Sequence, residues 1–175
     1  TIVSIKRKKY LIPFLLISLI VIAISVLYFE PHKIFIDDKT NEEQVGSIVT
    51  GSTKEVVTQE TSISTTTTTL PSKSMWRTRE HETSGDVFVT SDGNINYLRF
   101  ENLSTSNGPD LKVYIAKQLE DNGTPIDFIN LGDLKGNIGN ANYEVPSNVD
   151  LKEYKYVVIW CKRFSASFAD AEIII

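Results

Sequence analysis

The chain has 175 residues, a net charge of −4, 41% hydrophobic residues and a single cysteine. That length admits one domain, or one domain plus a tail, and one cysteine excludes a scaffold stapled by disulfides within the chain. From Trp76 onward ten Lys/Arg stand against fifteen Asp/Glu, an acidic balance that repels phosphate and argues against nucleic-acid binding.

Residues 1–10 form a short basic segment in which Lys6, Arg7, Lys8 and Lys9 are consecutive. Leu11 to Phe29, LIPFLLISLIVIAISVLYF, carries no charge and is long enough to cross a bilayer core of about 30 Å as a helix. Pro13 falls in the first turn of that span, where a missing N–H costs little. Tyr10, Tyr28 and Phe29 lie where an aromatic belt would sit. Basic residues before the span predict a signal-anchor with a cytoplasmic N-terminus and the rest exported, giving a single-pass protein of the cell membrane with an extracytoplasmic domain. The rival is a cleaved signal peptide, for which Ala23 and Ser25 supply a small-x-small site, although the apolar run is longer than a usual signal core. Both send the domain to the same side.

Residues 30–75 show little hydrophobic periodicity and include a threonine run, Thr65 to Thr69, with Pro71 close behind. Such a segment buries too little apolar surface to offset its ordering entropy, so it reads as a disordered spacer that holds the domain away from the membrane. The threonine run is an O-glycosylation candidate, and His32 reads as a solvated juxtamembrane side chain.

Residues 76–175 read as all β. Asp86–Ser91 and Asn94–Glu101 flank Asp92-Gly93, a type I′ hairpin signal. Leu111, Val113 and Ile115 alternate with Lys112 and Tyr114 in the next strand. Phe128–Leu131 and Asn142–Val145 are shorter strands around the loop Gly132–Asn140. Tyr156–Cys161 is apolar on both faces, as a central strand should be, and Phe164–Phe168 and Ala171–Ile174 close the domain. Short strands with turns every 8 to 12 residues or so predict a small antiparallel β-sandwich.

These residues resemble a known family. HETSGDVFV (81–89), YLRFENLSTSNGPDLKVYIAK (97–117), LGDLKGNIGNANYEVP (131–146) and VVIWCKRFSASFADAEI (157–173) are similar, in that order, to the DM-thirteen domain, the small extracellular module of Skeletor-type proteins. The most specific parts are Asn107-Gly108-Pro109-Asp110-Leu111 and Trp160-Cys161 with Phe164. The resemblance implies an electron-transfer role resting on a characteristic cysteine, matched by Cys161, that acts as a free thiol or holds a prosthetic group such as haem. One departure is Phe168-Ala169-Asp170-Ala171, where the family usually has a glycine after the Phe.

Cys161 is therefore the leading candidate site, as a redox thiol or as a ligand. Val157, Ile159 and Cys161 share one face of their strand and Trp160 the other. Arg163 has the parity to approach the sulfur and lower its pKa, whereas Lys162 does not. His81, the only histidine of the domain, is the second candidate, and sulfur with imidazole would suit copper, zinc or haem iron. A c-type haem motif is absent from the sequence, and a structural zinc site would need more Cys/His ligands. Met75 offers a thioether at the domain boundary. The plainer readings are that Cys161 is a small core residue and His81 a strand-end residue.

Asn107-Gly108-Pro109-Asp110 is first a turn and second an oxygen-ligand set for a hard cation. Asn102-Leu103-Ser104 and Asn122-Gly123-Thr124 match the N-glycosylation sequon. No nucleophile motif or phosphate-binding glycine loop appears in the sequence.

Two functions follow. One is a membrane-anchored redox module that exchanges electrons with a surface partner and has no stand-alone enzymatic activity. The other is a cell-surface module that binds a protein or glycan and uses Cys161 for packing alone. Cys161 could also pair with a cysteine of another molecule, which strand burial opposes.

Overall fold

A computed structural model describes residues 2–49 and 73–175. Helix α1, Ile2–Phe29, opens the chain. Its stretch Ile12–Phe29 is long and apolar enough to cross a membrane, and no residue of that stretch is buried. The helix stops at Glu30, which takes a left-handed φ of 44° and precedes Pro31, a residue that cannot continue a helix. One 3-10 turn, Pro31–Phe35, follows.

Among the described residues, eleven strands then build two sheets. The first contains β1 (Lys39–Asn41), β9 (Ile138–Val145), β6 (Asn96–Ser104), β5 (Ser84–Ser91) and β2 (Ser47–Ile48) in that order, with β3 (Ser74–Met75) also on β5. The second runs β4 (Arg77–Thr78), β11 (Ala166–Glu172), β10 (Tyr156–Cys161), β7 (Leu111–Leu119) and β8 (Pro125–Asp133). Pairings are antiparallel except β1 on β9. This is the β-sandwich that the alternation predicts.

The core lies between the sheets, where Leu98, Phe100, Val113, Ile115, Val157 and Ile159 are fully buried. The chain crosses from one sheet to the other at Trp76. Ser74–Met75 pairs with β5 and Arg77–Thr78 with β11. Trp76 between them is buried and meets Phe100 edge-on, with ring centroids 4.9 Å apart. An aromatic pair in that geometry adds about 0.5–1.5 kcal/mol beyond its buried area.

Several elements depart from expectation. Ser91 pairs with Asn96, so the hairpin loop is Asp92–Ile95 rather than two residues. The carboxylate of Asp92 accepts from Asn94 N and Ile95 N, both at 2.9 Å, and this side-chain turn lengthens the loop. Ala166–Glu172 forms one strand where two were expected, because Lys162–Ser165 is a tight turn in which Ser165 takes φ 50°.

The largest difference lies in the expected spacer. The expected range, residues 30–75, overlaps the domain at both ends, since β1, β2 and β3 are strands of the first sheet. Polar side chains of the domain hold this strap. Asn137, 1% exposed, accepts from Asp38 N at 2.7 Å and donates to Asp37 Oδ1 at 2.9 Å and Thr105 O at 2.8 Å. Glu42 takes Lys135 Nζ at 2.8 Å and Asn142 N at 2.7 Å, while Arg99 donates to Glu42 O at 2.7 Å. The lysine and these bonds hold the Glu42 carboxyl below its usual range, against the opposing pull of desolvation, the largest single influence. Asn107 Nδ2 donates to Ile36 O at 2.7 Å.

β2 and β3 are two pieces of one edge strand. Ile48 lies opposite Thr90, and Val49 N donates to Val89 O at 3.0 Å. Ser74 lies opposite Val87, so Lys73 falls opposite Phe88, and its ammonium sits 4.6 Å from that ring. Residues 50–72, which hold the Thr65–Thr69 run, lie outside the described residues. Val49 and Lys73, which flank them, fall at successive positions of the edge, opposite Val89 and Phe88.

Joining Val49 directly to Lys73 should therefore give a continuous edge strand and a folded chain. Loop closure costs about 2–3 kcal/mol for a segment of this length, so the denaturant midpoint should hold or rise; a lower midpoint would contradict the register. Asn137→Ala should lower stability by about 1–3 kcal/mol in a urea melt, because it strands Thr105 O in a buried setting and releases the part-buried Asp38 N.

Candidate functional site

Cys161 ends β10, a central strand of its sheet, with Leu111 on one side and Ala166 on the other. Val157, Ile159 and Cys161 all face the core at 0% exposure, as the strand parity predicts. The Cys161 thiol donates to Pro109 O at 3.3 Å.

Two turns close over the sulfur. The first is Asn107-Gly108-Pro109-Asp110. Asp110 takes φ 63°, and its carbonyl accepts from Lys162 N at 3.1 Å, which ties this turn to the second, Lys162–Ser165. A Cβ at Gly108 would come within 2.9 Å of the Phe168 ring, so glycine there lets turn and ring approach each other. Burial is the largest influence on the thiol and pushes its pKa up, while the backbone N–H groups of Phe164 and Arg163 pull it down. The charge of Arg163, as distinct from its backbone N–H, has only a minor effect on the sulfur. Its guanidinium is engaged with the end of α1, donating to Tyr28 O and lying 3.7 Å from Glu30 Oε2.

His81 lies against Phe168, with ring centroids 3.9 Å apart. It lines a cleft of about 200 Å³ together with Asn107, Pro109, Phe164, Ala166 and Phe168. Cys161 does not line this cleft; its neighbours Pro109 and Ala166 do. The structure thus brings His81 and Cys161 to the same end of the sandwich but not into one cavity. Met75 is 79% exposed on β3 and joins neither residue.

The donor set can be tested against the groups that sequence points to. Among the described residues, no three His, Cys, Asp or Glu side chains gather closely enough to hold a metal ion. A copper site of the electron-transfer type needs two histidines beside the cysteine, and His81 is the only one in the domain. Pockets for organic groups run to about 300–1,000 Å³, larger than this cleft, and the sulfur does not open into it. The residues present do not fit haem or copper held by Cys161.

The Asn107–Asp110 segment is the turn that sequence predicts. Asp110 is paired with Lys112 at 2.8 Å, and Lys112 also meets Asp133, so these carboxylates already have a cation. The ammonium holds the Asp110 carboxyl below its usual range. Asn102 and Asn122, the two sequon residues, are exposed.

Residues 74–173 match the family described as electron transfer DM13. The chain belongs to the DM13 family. No curated protein and no solved structure matches it. The family match spans β3 to β11 and does not reach the strap of residues 36–49, which nevertheless pairs with the DM13 sheet.

Sequence reasoning missed a second polar feature of the DM13 domain. Asp170 is fully buried and bound by Arg77, whose Nε lies 2.8 Å away, and by Arg79. The carboxylate holds the Arg77 guanidinium above its usual range. A lone acid between Ala169 and Ala171 on a buried strand, with two arginines at alternate positions of another, is the signal that marks this pair. Ala169, the departure from the family's usual glycine, is fully buried and places a methyl in the core.

The raised thiol pKa sets a sign. A folded-state pKa above the unfolded one contributes stability that is present at neutral pH and lost as pH rises through the alkaline range. Wild-type chain should lose stability above about pH 9 more steeply than Cys161→Ala, measured as denaturant midpoint against pH. Parallel curves would show that Cys161 does not titrate differently in the folded state.

Proposed function

We propose that this chain is a single-pass membrane protein that presents a DM13 domain outside the cytoplasm for electron transfer, with Cys161 as the redox-active group. Family membership supports the electron-transfer role. The basic cluster Lys6–Lys9 ahead of an apolar helix supports the orientation. The observation that carries the cysteine assignment is its setting: an unpaired thiol roofed by two turns, with the N–H groups of Arg163 and Phe164 opposing the larger upward pull of burial on its pKa. This chain offers no second cysteine to resolve an oxidised one. Its redox partner is therefore a surface protein or another molecule rather than a residue of the chain.

A second reading draws on the same site. Cys161 at 0% exposure, its thiol donating to Pro109 O, is also what a packing cysteine looks like. The domain would then bind a protein or glycan, with no redox step.

Voltammetry of the full chain in nanodiscs separates the two. The redox reading expects a wave in wild-type chain that is lost in Cys161→Ala and Cys161→Ser. The two variants should remain folded, because removing one sulfur from a core costs only about 1–2 kcal/mol. A wild-type chain without a wave, whose Cys161 resists thiol reagents until unfolded, leaves the packing reading.

A further inference from the structure

We propose that the end of the DM13 domain carrying Phe164 and the Asn107–Asp110 turn is seated on the bilayer surface, with Phe35, Ile36 and Phe164 inserted at the headgroup layer. The proposal rests on the reading of α1 as a retained anchor.

The contact begins at the last turn of α1. The Phe29 ring stacks on Phe164, with centroids 6.2 Å apart and planes 11° apart. A side chain stacked on the final residue of a membrane span lies at the depth of that residue. Arg163, one position earlier, donates to Tyr28 O and lies over the Tyr28 ring at 5.1 Å. The last carbonyls of a helix have no partner within it, and a cation is favoured at that end. The β10–β11 turn thus caps the membrane helix.

The chain leaves little slack between anchor and domain. Ile36, seven residues beyond Phe29, is already bonded to Asn107, and Asp37 and Asp38 to Asn137. A domain fixed this close to the span has its near end at the lipid headgroups. The side chains found there suit that position. Phe35 is 86% exposed, and Ile36 and Phe164 are each 53% exposed. Aromatic and apolar side chains concentrate at this layer, where the apolar part is covered by lipid. At the helix end Glu30 is matched by two cations, Lys33 at 3.1 Å and Arg163 at 3.7 Å. The seat is therefore apolar rather than electrostatic and should be insensitive to salt. Continuity with the span selects lipid over a soluble protein as the covering surface.

The test uses the full chain in phosphatidylcholine vesicles containing brominated lipids. Single variants Phe35→Trp and Phe164→Trp report the seat. Asn94→Trp reports the Asp92–Ile95 loop at the far end of β5 and β6, and Leu19→Trp reports the span. Emission added over that of the wild-type chain, which contains Trp76 and Trp160, is followed. At the seat positions it should fall about twofold or more with bromines near the headgroup, at low and high salt alike, while Asn94→Trp is unaffected. Quenching of Leu19→Trp without quenching at positions 35 and 164 overturns the seating and leaves the anchor intact. An unquenched Leu19→Trp overturns the anchor reading and the seating with it. Equal quenching at position 94 overturns the orientation.

Discussion

Asn137 is an uncharged side chain held at 1% exposure, and a buried amide is costly unless its donors and acceptor are met. It is met here from both directions: Thr105 O lies within the sandwich, and Asp37 and Asp38 lie on the strap that follows α1. The amide therefore joins two parts of the chain separated by about a hundred positions, and it can be satisfied only when both are in place. Glu42 adds a second tie through Lys135 and Asn142. Once these bonds form, the strap can no longer act as a loose tether, and the position of the domain relative to α1 follows.

Placing the strap also places the edge of the first sheet. β2 and β3 share the open side of β5 as two stubs in line, with residues 50–72 between them in the sequence. Because an uncovered edge invites pairing with other chains, two short pieces make a poorer template than one long strand. Lys73 strengthens this effect, with its ammonium paired to Glu101 at 2.8 Å and set over Phe88. Residues 50–72 are thus joined to the domain at both ends, and the path from α1 to the sandwich runs through residues 30–49.

The legible part of this fold is the part written in apolar periodicity. The alternation of Leu111, Val113 and Ile115, the doubly apolar Tyr156–Cys161 and the long uncharged run before Phe29 each fix an element by hydrophobic pattern, and each is found. The strap was illegible for the opposite reason. Lys39–Asn41 and Ser47–Ile48 are short and pair with strands distant in the chain, β9 and β5, so nothing local distinguishes them from a linker. The Asp92 loop was misjudged because its carboxylate competes with the backbone for Asn94 and Ile95. At the site, Cys161 was found through its rarity and family setting. Phe168 and the cleft were not, because ring contacts with His81 and Gly108 arise only once β11 and the Asn107–Asp110 turn are brought together.

The turn Lys162–Ser165 holds two tasks that cannot be separated. Its N–H groups at Arg163 and Phe164 face the Cys161 sulfur, and its side chains at the same two positions hold the end of α1. Lys162 N also bonds Asp110 O, which locks the turn to the Asn107–Asp110 cover. Exposing the thiol means displacing one of these turns, and displacing the second means breaking the contacts of Arg163 and Phe164 with the helix end. Access to Cys161 is thereby coupled to how the domain meets the end of α1. A thiol in that position answers to the geometry of that junction as well as to its own burial.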